Sequence, residues 1–355
     1  MKIFGLSLVA LLLLSGCAAT GGAQQSEDKP YAGRQLVFGG FGGSFEQVMR
    51  DEMLVEFEKE TGIKVEYVSG TAGGNYAKIA ASGASSGIDV VWGNDITHLR
   101  GKRDGLWASL DTSVVDNLKD VHELALDPDG IGVGQGINAF VLEYNTEQFA
   151  ANGIEAPDSW LDLWSPELAG HVLLFDIGVS QSQFFIPVLA EIIGSGQSDV
   201  DAAFAKLSEL NDVVASYPAN AAEADQLFLQ DAGWIVLNNL ARVQELKKTG
   251  FPVEGVYPKE GGILFVNYID IVKGSPDEDI AQVFVNFMIS KYAQELNASQ
   301  MSQGPVNVKA ELTSDVKALV PASDEVLDAL IRPDVELVLD NVEDWTARWQ
   351  REVVK

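Results

Sequence analysis

The sequence predicts an α/β fold, and three observations carry that expectation. Short apolar runs alternate with amphipathic stretches of helical period along most of the chain. A glycine-rich turn, Gly39-Gly40-Phe41-Gly42-Gly43, joins the first apolar run to the first helical one. A chain of 355 residues that is 46% hydrophobic has room for two lobes of ordinary domain size, each with its own core.

The chain opens with Lys2, an apolar run from Ile3 to Leu14, and then Leu14-Ser15-Gly16-Cys17 followed by Ala18 and Ala19. This is the layout of a secretory signal over residues 1–16. An apolar run of about a dozen residues is shorter than the roughly 20 that span a bilayer as a helix. Leu-Ser-Gly-Cys matches a lipoprotein signal-peptidase box, in which the thiol of Cys17 receives a diacylglycerol group. The alternative is an ordinary signal peptide with a chance cysteine. Cys17 is the only cysteine, so no disulfide can form within one chain and stability must come from burial. Residues 17–33 read as a lipidated flexible tether, small and polar with no periodic apolar face.

Beyond the tether, Gln35–Phe38 reads as a strand, Ser44–Thr61 as a helix and Ile63–Val68 as a strand. Ser44 is the expected N-cap, and Gly62 supplies the positive φ a helix end favours. Tyr76–Ala81 is helical, and Ile88–Trp92 a buried parallel strand. Further strands are expected at 134–144, 172–175, 234–237 and 263–272. Helices are expected at 182–193, 200–210, 221–229, 277–290, 323–332 and 341–354, with no strand after about residue 308.

The formal charge of −28, from 24 basic and 52 acidic residues, excludes nucleic acid and anionic lipid surfaces as partners. An acidic surface is also a solubility device and a mark of saline habitats. Catalytic constellations are sparse. The three histidines, His98, His122 and His171, are not spaced as paired metal ligands, and no thiol remains once Cys17 is lipidated. No cofactor, metal or catalytic residue is expected. Gly39–Ser44 is similar to a phosphate loop but lacks the Gly-Lys-Ser/Thr ending. Its glycines let a ligand approach backbone and helix terminus closely, or simply form a tight turn. Asp89-Val90-Val91-Trp92-Gly93-Asn94-Asp95 ends a strand in an aromatic and two polar residues, where open parallel sheets bind ligands. Core packing for Trp92 and helix capping for Asn94 and Asp95 are the plainer readings.

Read in order, five segments resemble the extracellular solute-binding proteins of ABC importers, in the branch that includes spermidine/putrescine-binding and ferric-iron-binding proteins. They are Val55-Glu56-Phe57-Glu58-Lys59-Glu60-Thr61-Gly62-Ile63-Lys64-Val65, the Asp89–Trp92 strand, the stretch from Pro157-Asp158-Ser159-Trp160 to Gly170, Tyr257-Pro258-Lys259-Glu260-Gly261-Gly262, and Val272-Lys273-Gly274-Ser275-Pro276. The resemblance runs from Gly39 to about Ala310. It implies a two-lobed periplasmic-binding-protein fold of type II, each lobe a doubly wound, mainly parallel sheet, joined by two hinge strands. Lobe 1 would be 34–136 and 267–303, lobe 2 137–266 and 304–355, with the solute trapped as the lobes close.

Iron-binding relatives hold the metal with neighbouring tyrosines, and the eight tyrosines here are never adjacent. Polyamine-binding relatives grip ammonium groups with acids. Here Phe265 keeps an aromatic position of that pattern, Asn267 replaces an acid, Asp176 is acidic, and Ser180 replaces a second acid. A buried ammonium without a carboxylate is costly. The expected ligand-binding residues are Gly40, Phe41, Trp92, Asn94, Asp95, Asp176, Ser180, Gln181, Asn238, Phe265, Asn267 and Tyr268. They suit a polyamine-like or other organic amine. A carboxylate, phosphonate or amino-acid-like solute at the helix N-terminus near Ser180 is the alternative. The implied partners are an ABC permease with its ATPase and the membrane that holds Cys17, with the protein a monomer. A sensor ectodomain and an exported hydrolase are the remoter classes.

Overall fold

The computed structural model describes residues 29–354, so the signal segment and Cys17 lie outside the described residues. The strands are β1 Gln35–Phe41, β2 Lys64–Gly70, β3 Val90–Trp92, β4 Val133–Asn145, β5 Val172–Leu173, β6 Val214–Ser216, β7 Ile235–Asn239, β8 Val253–Val256 and β9 Ile263–Ile271. They form one continuous sheet in the order β2-β1-β3-β9-β4-β7-β5-β6, with β8 pairing on β4. Both ends of the sheet are parallel, β2-β1-β3 on one side and β7-β5-β6 on the other. The middle is antiparallel, because β9 pairs with β3 and with β4, and β4 pairs with β7.

The helices are α1 Ser44–Val48, α2 Leu54–Thr61, α3 Ala72–Ser82, α4 Asp95–Arg103, α5 Thr146–Asn152, α6 Ser180–Ile192, α7 Val200–Ser208, α8 Ala221–Leu229, α9 Leu240–Lys248, α10 Glu278–Met288, α11 Lys291–Met301, α12 Ser314–Lys317, α13 Asp324–Ala329 and α14 Val335–Arg348. A π-helical turn at Met49–Met53 joins α1 to α2, so the expected helix over 44–61 is present with one widened turn. Gly62 closes it at φ 81°. Ser44 does not cap it. The N-cap is Gly43 at φ 73°, and the Ser44 hydroxyl instead donates to Glu245 on α9 at 3.1 Å. The last expected helix starts earlier than its apolar pattern suggests, because Asp334 caps α14 by accepting from the Leu337 amide.

Apolar burial divides along the β9–β4 seam. One cluster packs Phe38, Met49, Phe57, Trp92, Phe284 and Met288 against the β2-β1-β3-β9 side. The β4-β7-β5 side is covered on both faces: Phe140, Trp160, Phe184, Phe204 and Trp349 lie on one, and Val141, Phe175, Val236, Phe228 and Val243 on the other. Period-two alternation along β4 and β7 sends successive residues to these opposite faces. The sequence assigns 304–355 to the second lobe, but Val306 is buried with the first cluster, held by its amide on Gln294 at 2.7 Å. Trp345 and Trp349 do join the second.

Four of the five segments that carry the resemblance meet in pairs as structural joints. Asp89 accepts the Val37 amide at 2.7 Å and the Ser275 hydroxyl at 2.5 Å, tying the Asp89–Trp92 strand to the Lys273–Pro276 turn. Glu260 accepts from the Ser159 hydroxyl and the Trp160 amide, and the Trp160 indole donates to the Gly261 carbonyl at 2.9 Å. Along the seam, Gly136 has no room for a side chain, since a Cβ there would meet Gln303 Oε1 at 2.1 Å.

Candidate functional site

A cavity of about 110 Å³ opens where the two sides of the sheet face each other. It is lined by Asn94, Asp95, Phe140, Ser180, Gln181, Phe184, Asn239, Phe265 and Asn267. Those residues come from the β3–α4 turn, the β4–β9 seam, the end of β7 and the start of α6. A wider surface groove of about 410 Å³ runs between Phe149 and Leu168. It draws on one side of the molecule alone, so the smaller cavity is the one that a movement of the two sides would open or close.

At the β3–α4 turn, Asn94 caps α4: its Oδ1 accepts the Thr97 amide at 3.1 Å, and Thr97 Oγ1 accepts the Asn94 amide at 2.9 Å. Asp95 is 7% exposed, and its Oδ2 accepts the Val266 amide at 2.5 Å, which pins α4 to β9. Burial raises the Asp95 pKa to about 6, against that amide bond and the more distant Arg332. Phe140 and Phe265 stack at 4.4 Å across the seam, with Phe184 at 6.2 Å from Phe140. Asn267 is 7% exposed and its side chain has no hydrogen bond among the described residues.

On the far wall, Ser180 and Gln181 are the first two residues of α6. The preceding Val179 has no side chain able to cap it, so the first amides of the helix carry no side-chain cap. Ser182 donates to the Phe175 carbonyl at 2.6 Å and Gln183 to the Ile177 carbonyl at 2.9 Å, which fixes the helix start beside the cavity.

Six of the expected site residues line the cavity: Asn94, Asp95, Ser180, Gln181, Phe265 and Asn267. Six do not. Trp92 is fully buried against Phe38, Phe41 and Phe45, so the plainer core reading holds for it. Phe41 belongs to that aromatic cluster. Gly40 makes room for Tyr67, whose hydroxyl donates to the Phe41 carbonyl; a Cβ at residue 40 would sit 2.2 Å from that hydroxyl. Asp176 accepts the Gly178 amide at 2.8 Å and orders its own turn. Tyr268 stacks on His98 at 4.0 Å, on the face of β9 opposite Asn267. Asn238 donates to Glu143 at 2.7 Å on the other face of β7, and its neighbour Asn239 takes the cavity position. Sequence reasoning missed Phe140, Phe184 and Asn239. Strand alternation was the signal available for Asn239 once the face of β7 was known.

Two buried polar clusters flank this site. On one side, His98 contacts Asp270 at 2.8 Å and Asp127 at 3.3 Å, and Lys102 reaches Asp127 at 2.6 Å. Burial works against a charged His98, but Asp270 and Asp127 outweigh it and hold its pKa up at about 9. On the other side, Glu143 lies beneath α8 and α9 with Asn238, Asp225 and Arg242. Burial pushes the Glu143 pKa up to about 7. Glu143 Oε1, Asp225 Oδ1 and Arg242 Nε are buried without hydrogen-bond partners among the described residues. No group of three or more metal-ligating side chains occurs among the described residues.

The family model for bacterial extracellular solute-binding proteins matches residues 52–322. The chain is 29% identical over 312 residues to the spermidine/putrescine-binding periplasmic protein 1 of Haemophilus influenzae, covering 80% of this chain and 81% of that protein. It is 26% identical over 326 residues to the gamma-aminobutyric acid-binding protein of Pseudomonas aeruginosa, covering 87% and 88%. Among solved structures, an ABC transporter protein from Clostridium perfringens superposes with a TM-score of 0.77 at 25% identity, over 90% of this chain and 99% of that one. An ABC transporter substrate-binding protein from Bradyrhizobium japonicum superposes at 0.76 with 22% identity, over 90% and 99%.

Proposed function

Because the chain belongs to the bacterial extracellular solute-binding proteins of ABC transporters, we propose that it captures a small polar organic amine in the cavity at the β4–β9 seam and delivers it to a permease. The observation that carries this reading is the origin of the cavity wall. Asn94 and Asp95 come from one side of the sheet and Ser180, Gln181, Phe184 and Asn239 from the other, with Phe140, Phe265 and Asn267 on the seam strands. A solute that touches both sides binds the closed arrangement better than the open one, so binding and closure are one equilibrium. The stacked phenylalanines offer apolar surface to a methylene chain, and Asp95 is the acid that would meet an ammonium group.

The relatives named for binding spermidine/putrescine and gamma-aminobutyric acid support an amine. The sequence suits a polyamine-like or other organic amine, and the single lining carboxylate favours a lighter positive charge. No helix among the described residues is long and apolar enough to cross a membrane, and lipidation of Cys17 would hold the protein beside its permease as a monomer. Thermal-shift screening of the mature protein with amines, amino acids, carboxylates and phosphonates tests the reading, with small-angle scattering on the hits. A true solute at a hundred times its Kd stabilises the fold by about 2.7 kcal/mol and compacts it. No shift from any compound and no compaction would end the proposal.

A further inference from the structure

Building on the solute-binding reading, we propose that the solute is a small zwitterion, with its ammonium group at Asp95 and its carboxylate on the uncapped N-terminus of α6. Three observations converge. The first is the helix. α6 runs for 13 residues with no side-chain cap at Val179, and its first two residues line the cavity. Its terminal amides present partial positive charge and free N–H donors to whatever sits there.

The second is Asn267. It lines the same cavity, is 7% exposed, and its side chain lacks a hydrogen bond among the described residues. Its polar atoms are not sealed off from solvent, so the amide is open to a partner on the cavity side. A polar ligand atom is the partner that the cavity wall itself does not supply.

The third is the charge of the wall. Asp95 is the only ionisable residue among those lining the cavity, and Oδ2 is already committed to the Val266 amide. One carboxylate satisfies one ammonium. A second ammonium would face the positive end of α6, and a simple carboxylate would leave Asp95 buried beside a like charge. Phe140 and Phe265 then flank the methylenes between the two ends. The volume of about 110 Å³ lies below the several hundred typical of drug-sized ligands, which fits an amino acid rather than a long polyamine.

Calorimetry on the whole mature protein, with four kinds of probe of similar length, tests this. The probes are a series of zwitterions from glycine to 5-aminopentanoate, the dication putrescine, the monocation butylamine and the anion butanoate. The expected result is that one zwitterion binds at least about tenfold more tightly than the other three kinds. Putrescine or butylamine binding as tightly as every zwitterion would overturn the carboxylate end while leaving solute capture intact. Failure of all four would overturn the inference, and a thermal shift from a neutral solute would then show capture without it. Two variants localise the ends. Asp95→Asn keeps an acceptor for the Val266 amide and should lose about tenfold or more for the zwitterion but not for butanoate. Ser180→Pro removes one N–H at a helix position that tolerates proline, whereas Ser180→Ala keeps it. Weakening by the proline alone supports the helix contact, and equal affinity in both overturns it.

Discussion

The two buried polar clusters beside the cavity are built on opposite terms. Around His98, charges and hydrogen bonds match: the imidazole lies between Asp270 and Asp127, Lys102 balances the second acid, and Tyr268 covers the ring. Around Glu143 they do not. Asn238 satisfies one carboxylate oxygen, Arg242 pairs outward with Asp225 and Glu245, and three buried atoms have no partner. A satisfied cluster rigidifies its surroundings, whereas a partly satisfied one costs stability and leaves room to rearrange. The unsatisfied cluster includes α9, whose Glu245 receives the Ser44 hydroxyl from the other side of the molecule. The matched cluster thus anchors one wall of the cavity, and the unmatched one lies where the two sides touch.

The largest expected effect breaks the matched side. His98→Ala leaves Asp270 buried without its partner and should destabilise by about 3–5 kcal/mol in denaturant unfolding. The pH dependence gives a second reading of the same pair. The His98 pKa is raised in the fold, so its contribution is complete below about 6.5, the ordinary histidine value, and disappears as pH rises through about 9. The gap between the wild type and His98→Ala should therefore narrow at high pH without closing, because neutral His98 keeps its hydrogen bond to Asp270 and its stacking on Tyr268.

Glu143→Gln should have a smaller effect of opposite sign. The folded state favours protonated Glu143, so the group costs nothing at low pH and its cost grows as pH rises toward about 7, then levels off. Glutamine keeps an acceptor for Asn238 and gains a donor that can serve Asp225. At pH 8 the variant should be more stable by about 1–2 kcal/mol, with no gain near pH 4. Equal stability at both pH values would mean that the unmatched cluster is satisfied in solution. The smallest change, Ser44→Ala, removes one contact between the sides and should alter stability by about 0.5 kcal/mol or less in the same assay.

Much of the fold was legible because its signals are local. The helix over 44–61, its glycine terminator and the strands at 35, 64, 88 and 263 follow from periodicity and turn chemistry between neighbours in sequence. The short helices α5, α9 and α11 escaped notice, and α4 was anticipated only through its caps. Each is opened by an Asn or Ser cap, at Asn94, Asn145, Asn239 and Ser290, and α4 and α9 are poor in apolar residues. The site was half legible. Asn267 and Asp95, expected to bind a ligand, do line the cavity, but Asn238 stands one position from the residue that reaches it, and Trp92 belongs to the core.

By itself, then, the sequence determined the α/β class and the order of most elements, because those rest on spacing along the chain and on capping, whereas the pairing of its motifs, Asp89 with Ser275 and Trp160 with Gly261, came only with the tertiary structure. Only the tertiary structure decided which of two neighbouring strand residues meets a solute. Alternate side chains leave a strand on opposite faces, and which face is walled by a cavity, a core or a helix depends on partners far off in sequence, such as Glu143, 95 residues from Asn238. Asn238 and Asn239 are identical neighbours, and although Asn239 also caps α9, only the packing of the sheet decides that one closes a buried cluster with Glu143 and the other lines the cavity.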